Sequence, residues 1–284
     1  MTIAEILHQA KAELSARELD LNIAEIIIET RLGLTRSELW MSTSQELSLS
    51  EKAQFDSDFA RYINGEPVQY ILEVAPFYGR DFYVTPSVLI PRPETEELVY
   101  AAEKVIENNP NHVHRVLDVC TGSGIIPITL KAIFPSLDVS GSDISTEALE
   151  VAEENKKRLQ TNVRLIHSDL VDFFQEKGEK FDLILANPPY IADHERAEMS
   201  DYVLDHEPDL ALFAPNNGLA IYEQLIMNLP GLVDNIFWIG MEIGYTQGES
   251  VKKLFEKSFP QAEIIIQQDI NGKDRIVICR KGLI

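Results

Sequence analysis

Residues 115–134 read RVLDVCTGSGIIPITLKAIF. RVLDV has the apolar, β-branched content of a buried strand, and GIIPITLKAIF has the length and apolar content of a packed helix. Between them, Cys120-Thr121-Gly122-Ser123-Gly124 forms a glycine-bearing turn. Glycine lets a backbone approach a ligand closely, and the start of the following helix offers free N–H groups. A nucleotide-like ligand suits such a turn. The competing explanation is purely architectural, because glycine turns after strands also serve to pack a helix on a sheet.

The same alternation continues beyond this unit. LDVSGSD precedes STEALEVAEENKKRL, VRLIHSD precedes VDFFQEK, and FDLILAN and IFWIGMEIG extend the series. Strand and helix in turn predict an α/β domain with a mostly parallel sheet covered on both faces. AEIIIQQDINGKDRIVICR breaks the pattern, since Asn271-Gly272 between two apolar runs predicts a hairpin and hence a final antiparallel strand.

Working toward the N-terminus, the periodicity changes. Ile3, Ile6, Leu7 and Ala10, then Ile23, Ile26 and Ile27, then Phe55, Phe59, Tyr62 and Ile63 recur at helical spacing and predict a small all-α bundle. Ser48 with Glu51 fits a capping box opening the last long helix, which Gly65-Glu66-Pro67 closes. VAPFYGRDFYVTP, residues 74–86, predicts a linking β-hairpin around Gly79-Arg80.

The chain has 284 residues, 45% of them hydrophobic, and a formal charge of −21. Its apolar runs fall well short of the roughly 20 residues of a membrane helix. The amphipathic, acid-bearing N-terminus lacks a signal-type block, so the expected address is cytoplasmic. Cys120 and Cys279 predict no disulfide, and no metal-ligand spacing is present; His112 and His114 suit a solvated turn. Gripping a phosphate backbone takes clustered Lys and Arg, so the acidic balance points away from nucleic acid and toward a protein or small-molecule substrate, as the short apolar runs point away from membrane.

Three acids mark one edge of the predicted sheet. Asp118 ends the first strand of the series. Asp143 ends the second, where an acid accepts hydrogen bonds from ribose hydroxyls in folds of this kind. Asp169 ends the third, where it either takes the exocyclic amine of an adenine or simply caps the next helix. Together with the glycine turn they describe a cleft for an adenosine-bearing molecule without a pyrophosphate.

Asn187-Pro188-Pro189-Tyr190 ends the fourth strand at that same edge. Each proline bars the residue before it from helical geometry, so the segment is held extended. The Asn187 side-chain oxygen and the Pro188 carbonyl then form two converging acceptors suited to an NH2 group, with the Tyr190 ring beside a flat conjugated group. Taken alone, the tetrapeptide reads as a rigid turn with Tyr190 filling the core. Beside an adenosine cleft it suggests S-adenosylmethionine and N-methylation.

The sequence resembles, nearly end to end, the protein-(glutamine-N5) methyltransferases of peptide-chain release factors, the HemK/PrmC family. The matching stretches are EPVQYIL (66–72), FYGRDFYVTPSVLIPRPETEELV (77–99), LDVCTGSG (117–124), NPPY (187–190), EPDLALFAPNNGLAIYEQLI (207–226) and DINGKDRIVI (269–278). The PRPETE loop is the most discriminating, since NPPY is shared with adenine-N6 methyltransferases of DNA. The resemblance implies a helical substrate-recognition domain (1–74), a hairpin linker (75–90) and a seven-stranded class I methyltransferase domain (91–284). It implies a cofactor site of Cys120, Thr121, Gly122, Ser123, Gly124, Asp143, Asp169, Leu170 and Asn187. It further implies that the glutamine of a Gly-Gly-Gln loop meets residues 187–190, with Asn187, Pro188 and Tyr190 catalytic. The expected partner is a release factor, met by a monomer. Cys120 departs from the family, which has glycine there, and its Cβ must fit where the backbone nears the cofactor. The rivals are an adenine-N6 methyltransferase of nucleic acid and a binding protein that keeps the pocket only as structure.

Overall fold

The structure, a computed structural model, describes residues 1–283 and divides into two compact units, Met1–Val74 and the remainder from Ala75 onward. The first unit holds α1 (Ile3–Ala16), α2 (Ile23–Leu32), α3 (Arg36–Met41), α4 (Leu49–Ile63) and α5 (Val68–Leu72). Capping boxes open α1 at Thr2/Glu5, α3 at Thr35/Glu38 and α4 at Ser48/Glu51. Each pairs two otherwise unsatisfied groups of a helix start. Of the three, the Ser48/Glu51 box is the one predicted from the sequence. Ile3, Ile6, Leu14, Ile27, Ile28, Phe55 and Phe59 form the core of this unit. Ile26 is exposed, because α2 turns Ile23, Ile27 and Ile28 inward. The buried Asp58 is satisfied by Arg31 Nε at 2.6 Å and Gln54 Nε2 at 3.0 Å.

The second unit begins with the hairpin of β1 (Ala75–Phe77) and β2 (Arg80–Phe82). Its turn is Tyr78-Gly79, one residue earlier than the sequence suggests, with φ of 50° and 72°. Two left-handed residues match the twist of a two-residue hairpin. The Tyr78 hydroxyl and its backbone N–H go to Glu103 and Glu96 of α6 (Pro93–Asn108), which fixes the hairpin to that helix.

The main sheet then builds through β3 (Arg115–Val119), α7 (Ile125–Ile133), β4 (Asp138–Asp143), α8 (Thr146–Arg158), β5 (Arg164–His167), α9 (Asp172–Lys177) and β6 (Leu183–Ala186). Short helices α10 (Asp201–Leu204) and α11 (Asp209–Leu212) follow, then α12 (Ala220–Asn228), β7 (Phe237–Glu242), α13 (Gly248–Ser258), β8 (Glu263–Gln268) and β9 (Asp274–Lys281). The strand order is β5-β4-β3-β6-β7-β9-β8, parallel except for β9, which pairs antiparallel to both β7 and β8. The predicted seven-stranded, mostly parallel α/β domain is what the chain forms.

Strand alternation supplies two cores. Leu117, Val119, Ile184 and Ile239 face α12 and α13 residues such as Leu225 and Phe255. Val116, Leu183, Leu185 and Trp238 face Leu98, Val99 and Ala102 of α6 and Ile126 of α7. Gly240 is required here, because a Cβ would sit 2.2 Å from the Trp238 ring.

The chain leaves β3 toward β4 and β5, then returns to β6 on the other side of β3. This reversal opens a crevice beyond the carboxyl ends of β3 and β6, the ligand position of open α/β sheets. Cys120 follows β3 there, and Asn187 follows β6. Among the described residues no helix is long and apolar enough to cross a membrane.

Candidate active site

The turn after β3 is shaped by left-handed backbone at Cys120 (φ 61°), Gly122 (55°) and Gly124 (79°). For a residue with a Cβ this conformation costs about 1–2 kcal/mol, so Cys120 carries local strain that glycine would not. Leu170, at the end of the Asp169-Leu170 pair, is also left-handed at 45°. Two such residues in one cleft is the concentration of strain that functional sites show. Gly124 has a second reason to be glycine: a Cβ would meet Ile128 Cδ1 at 2.9 Å.

Hydrogen bonds stitch the turn to β4. Thr121 N donates to Ser142 O at 2.9 Å, and Gly122 N donates to Asp143 Oδ2 at 2.8 Å. Ser145 N donates to Asp143 Oδ1 at 2.9 Å. Each Asp143 oxygen thus keeps lone-pair capacity for a further donor. Burial raises the Asp143 carboxyl above its ordinary range, opposed by these backbone N–H groups. Behind the turn, buried Asn155 of α8 donates to both Ser123 O and Tyr83 O at 2.9 Å, anchoring it from below.

Asp118 is fully buried and neither carboxyl oxygen has a hydrogen-bond partner. Burial pushes it up to about 8; nearby Thr121 opposes the shift and Asp143 adds to it. It lies beneath the cleft, not in its wall.

Asp169 is exposed and lines the cleft with Leu170. It does not cap the helix after it: the N-cap of α9 is Val171, without a side-chain bond, and it is Ser168 Oγ that accepts from Phe173 N at 3.2 Å. Ser142 Oγ holds the Leu170 carbonyl at 3.0 Å, which keeps the strained residue in place.

Asn187 lines the same cleft between the glycine turn and the PRPETE stretch. Its Nδ2 donates to Thr95 Oγ1 at 3.1 Å, and Thr95 Oγ1 donates to Glu242 Oε2 at 2.7 Å. The Tyr190 hydroxyl donates to the other Glu242 oxygen at 3.4 Å. With one Nδ2 hydrogen engaged on Thr95, Asn187 has Oδ1 as its acceptor. The segment is further fixed by Gln247 Nε2, which donates to Tyr190 O at 2.9 Å, and by Gly218, where a Cβ would lie 2.0 Å from that carbonyl. Glu242 is buried, and desolvation raises it to about 7 against the hydrogen bonds of Thr95 and Tyr190 and the charge of Arg275.

Of the residues singled out from sequence, Cys120, Thr121, Gly122, Ser123, Asp143, Asp169, Leu170, Asn187 and Pro189 share this cleft wall. Gly124, Pro188 and Tyr190 lie just outside it. Thr95, Glu242, Arg92 and Glu207 were not singled out. Glu242 had a signal, an acid closing an otherwise apolar strand, and Arg92 and Thr95 stand in the PRPETE stretch, which is not a loop but the N-cap and first turn of α6; their pairing over long sequence separations left none.

A ligand's chemistry can be read from the wall. Arg92 is the single Lys or Arg among the described lining residues, and it is paired with buried Glu207. No lining Lys or Arg among the described residues is therefore free of a carboxylate partner to meet a pyrophosphate. Asp143 has capacity for two hydroxyls, and Ile125, Ile144, Leu170 and Ala148 supply apolar contact. That donor set fits an adenosine carrying a small polar tail.

Comparison with known proteins agrees. Residues 5–72 match the family model described as the PrmC N-terminal domain, and residues 97–206 match the Methyltransferase small domain. The chain is 38% identical over 279 residues to a release factor glutamine methyltransferase of Bacillus cereus, covering 98% of each. It is 39% identical over 278 residues to the Bacillus subtilis protein of that name, covering 97% of this chain and 96% of the relative. A crystal structure of a methyltransferase from Pyrococcus furiosus shares the fold, with a TM-score of 0.51, 14% identity, and coverage of 80% of this chain and 99% of that one.

Proposed function

Because the chain belongs to the release factor glutamine methyltransferase family, we propose that its cleft brings S-adenosylmethionine against the Asn187-Pro188-Pro189-Tyr190 segment to methylate the N5 nitrogen of a release-factor glutamine. The protein is an S-adenosylmethionine-dependent methyltransferase. The glutamine is that of a Gly-Gly-Gln loop, and the helical unit selects the protein that carries it. The enzyme acts as a cytoplasmic monomer without a direct nucleic-acid partner.

One observation carries the reading: Asn187 lines the cleft with one Nδ2 hydrogen spent on Thr95 Oγ1, and Oδ1 is the acceptor it has to offer. A glutamine side chain presents an NH2 group and needs acceptors to hold it. An amide nitrogen is a weak nucleophile because its lone pair is delocalised into the carbonyl. Asn187 Oδ1 and the Pro188 carbonyl, accepting its two hydrogens, orient that nitrogen and stabilise the positive charge that develops on it. The stiff Pro-Pro backbone keeps both oxygens in place before the substrate arrives.

The turn at 120–124 would hold the methyl donor, with Asp143 able to accept from ribose hydroxyls and Asp169-Leu170 placed to meet the adenine edge. Bound, it supplies a methyl group activated on a sulfonium centre. Pro189, the apolar wall and Asn187 keep bulk water from that centre. Once methylated, the glutamine nitrogen is strongly acidic and gives up one proton to water, so the chain needs no strong general base.

A release factor incubated with this protein and a labelled methyl donor acquires one methyl on its Gly-Gly-Gln glutamine, read by peptide mass spectrometry. Label appearing only on added DNA or RNA would overturn the assignment in favour of adenine-N6 methylation.

A further inference from the structure

Three elements that are distant in sequence meet behind Asn187. Thr95 lies in the first turn of α6, Glu242 ends β7, and both are 1% exposed. The Tyr222 hydroxyl of α12 donates to the Glu242 backbone carbonyl at 2.7 Å, which fixes the strand end from a further direction. The geometry points to Thr95 and Glu242 as positioning residues that keep Asn187 with its carboxamide oxygen, and not its NH2, toward the substrate. This inference rests on the glutamine-binding role proposed for Asn187 and specifies what gives that residue its polarity.

The number of protons available fixes the direction of these bonds. A hydroxyl has a single proton, and the Thr95 proton goes to Glu242 Oε2. Thr95 Oγ1 then has only lone pairs for Asn187, and only the NH2 end of the amide can bond to it. Rotating the Asn187 amide by half a turn would set two acceptors against each other in a buried place, where an unmade bond is most costly. The direction of the relay is therefore set by the carboxylate at its far end.

Protonating Glu242 removes that constraint. A neutral Glu242 can donate to Thr95, which can then donate to Asn187 and turn the NH2 group toward the substrate. The groups that face Glu242 are Thr95 and Glu94 of α6, Tyr190 after β6, Tyr222 of α12 and Arg275 of β9. Burial first, with Glu94, raises its proton affinity to about 7, while Thr95, Tyr190 and Arg275 lower it. The active arrangement is thus the one held at higher pH, and the rate falls on acidification through that range.

The test compares wild type, Thr95→Val, Thr95→Ser, Asn187→Ala and the Thr95→Val/Asn187→Ala double variant. For each, kcat and KM are measured with a release factor and donor affinity by calorimetry. Thr95→Val lowers kcat about 30-fold with donor affinity within about twofold, and Thr95→Ser, which restores the hydroxyl, returns kcat to within about threefold of wild type. In the Asn187→Ala background, Thr95→Val causes no further loss, because the two act as a unit. The acid limb of the wild-type kcat profile disappears in Thr95→Val. The inference is overturned if Thr95→Val keeps the wild-type rate, if Thr95→Ser is equally impaired, or if the loss adds in full to that of Asn187→Ala. Wild-type turnover in Asn187→Ala would instead sink the functional reading on which the inference stands.

Discussion

Asn187→Ala lowers kcat about 1,000-fold, close to 4 kcal/mol of transition-state stabilisation, while affinity for the methyl donor stays within about threefold. The size follows from what is lost. Alanine removes the side-chain acceptor that orients the amide nitrogen and meets its developing charge, and these interactions strengthen only as the nitrogen becomes positive. The adenosine contacts proposed above lie elsewhere in the cleft, on Cys120 to Ser123, Asp143 and Asp169-Leu170. Stopped turnover with calorimetric binding intact is the expected pattern. A parallel fall in donor affinity would make Asn187 a cofactor or folding residue.

Asp143→Asn acts on the other half of the reaction, weakening donor affinity on the order of 100-fold, or about 2.7 kcal/mol. Asp143 already accepts from Gly122 N and Ser145 N, one on each oxygen. Asparagine keeps one oxygen, so its NH2 must confront one of those two backbone N–H groups, and the remaining pair of ribose hydrogen bonds loses its charge assistance. The glycine turn loosens together with the ligand contact. At saturating donor, kcat falls by no more than about fivefold, because the reacting nitrogen is held by other residues. Calorimetry and saturation kinetics separate the two effects; unchanged donor affinity would remove Asp143 from the cofactor site.

The parts of this molecule that follow from short-range chemistry were legible in the sequence. The change from helical to strand–helix periodicity at the hairpin, the glycine turn after RVLDV and the hairpin around Asn271-Gly272 depend on neighbouring residues, and the chain folds accordingly. What was not legible depends on pairing at a distance. That β9 inserts between β7 and β8 is a choice of strand partner which the hairpin signal leaves open. The exposure of Ile26 reflects which way α2 rotates on its neighbours, and a run of three isoleucines satisfies several rotations.

The site divides in the same way. Asn187, Asp143 and the turn announce themselves because each sits at a strand end with distinctive chemistry. Thr95 lies 92 positions from Asn187 and 147 from Glu242, so nothing local reveals that a threonine in the first turn of α6 bonds to both. The left-handed geometry of Leu170 gives no sign in sequence, since leucine seldom adopts it, whereas Cys120 betrays its strain by replacing a glycine of the family pattern.

The account turns on the polarity of one amide, and a crystal structure of the protein with S-adenosylhomocysteine and a Gly-Gly-Gln peptide tests it most directly. The glutamine nitrogen should lie about 3 Å from both Asn187 Oδ1 and the Pro188 carbonyl oxygen, with Asn187 Nδ2 still on Thr95. A glutamine bound through its own oxygen to the Asn187 NH2, or seated away from residues 187–190, would contradict it.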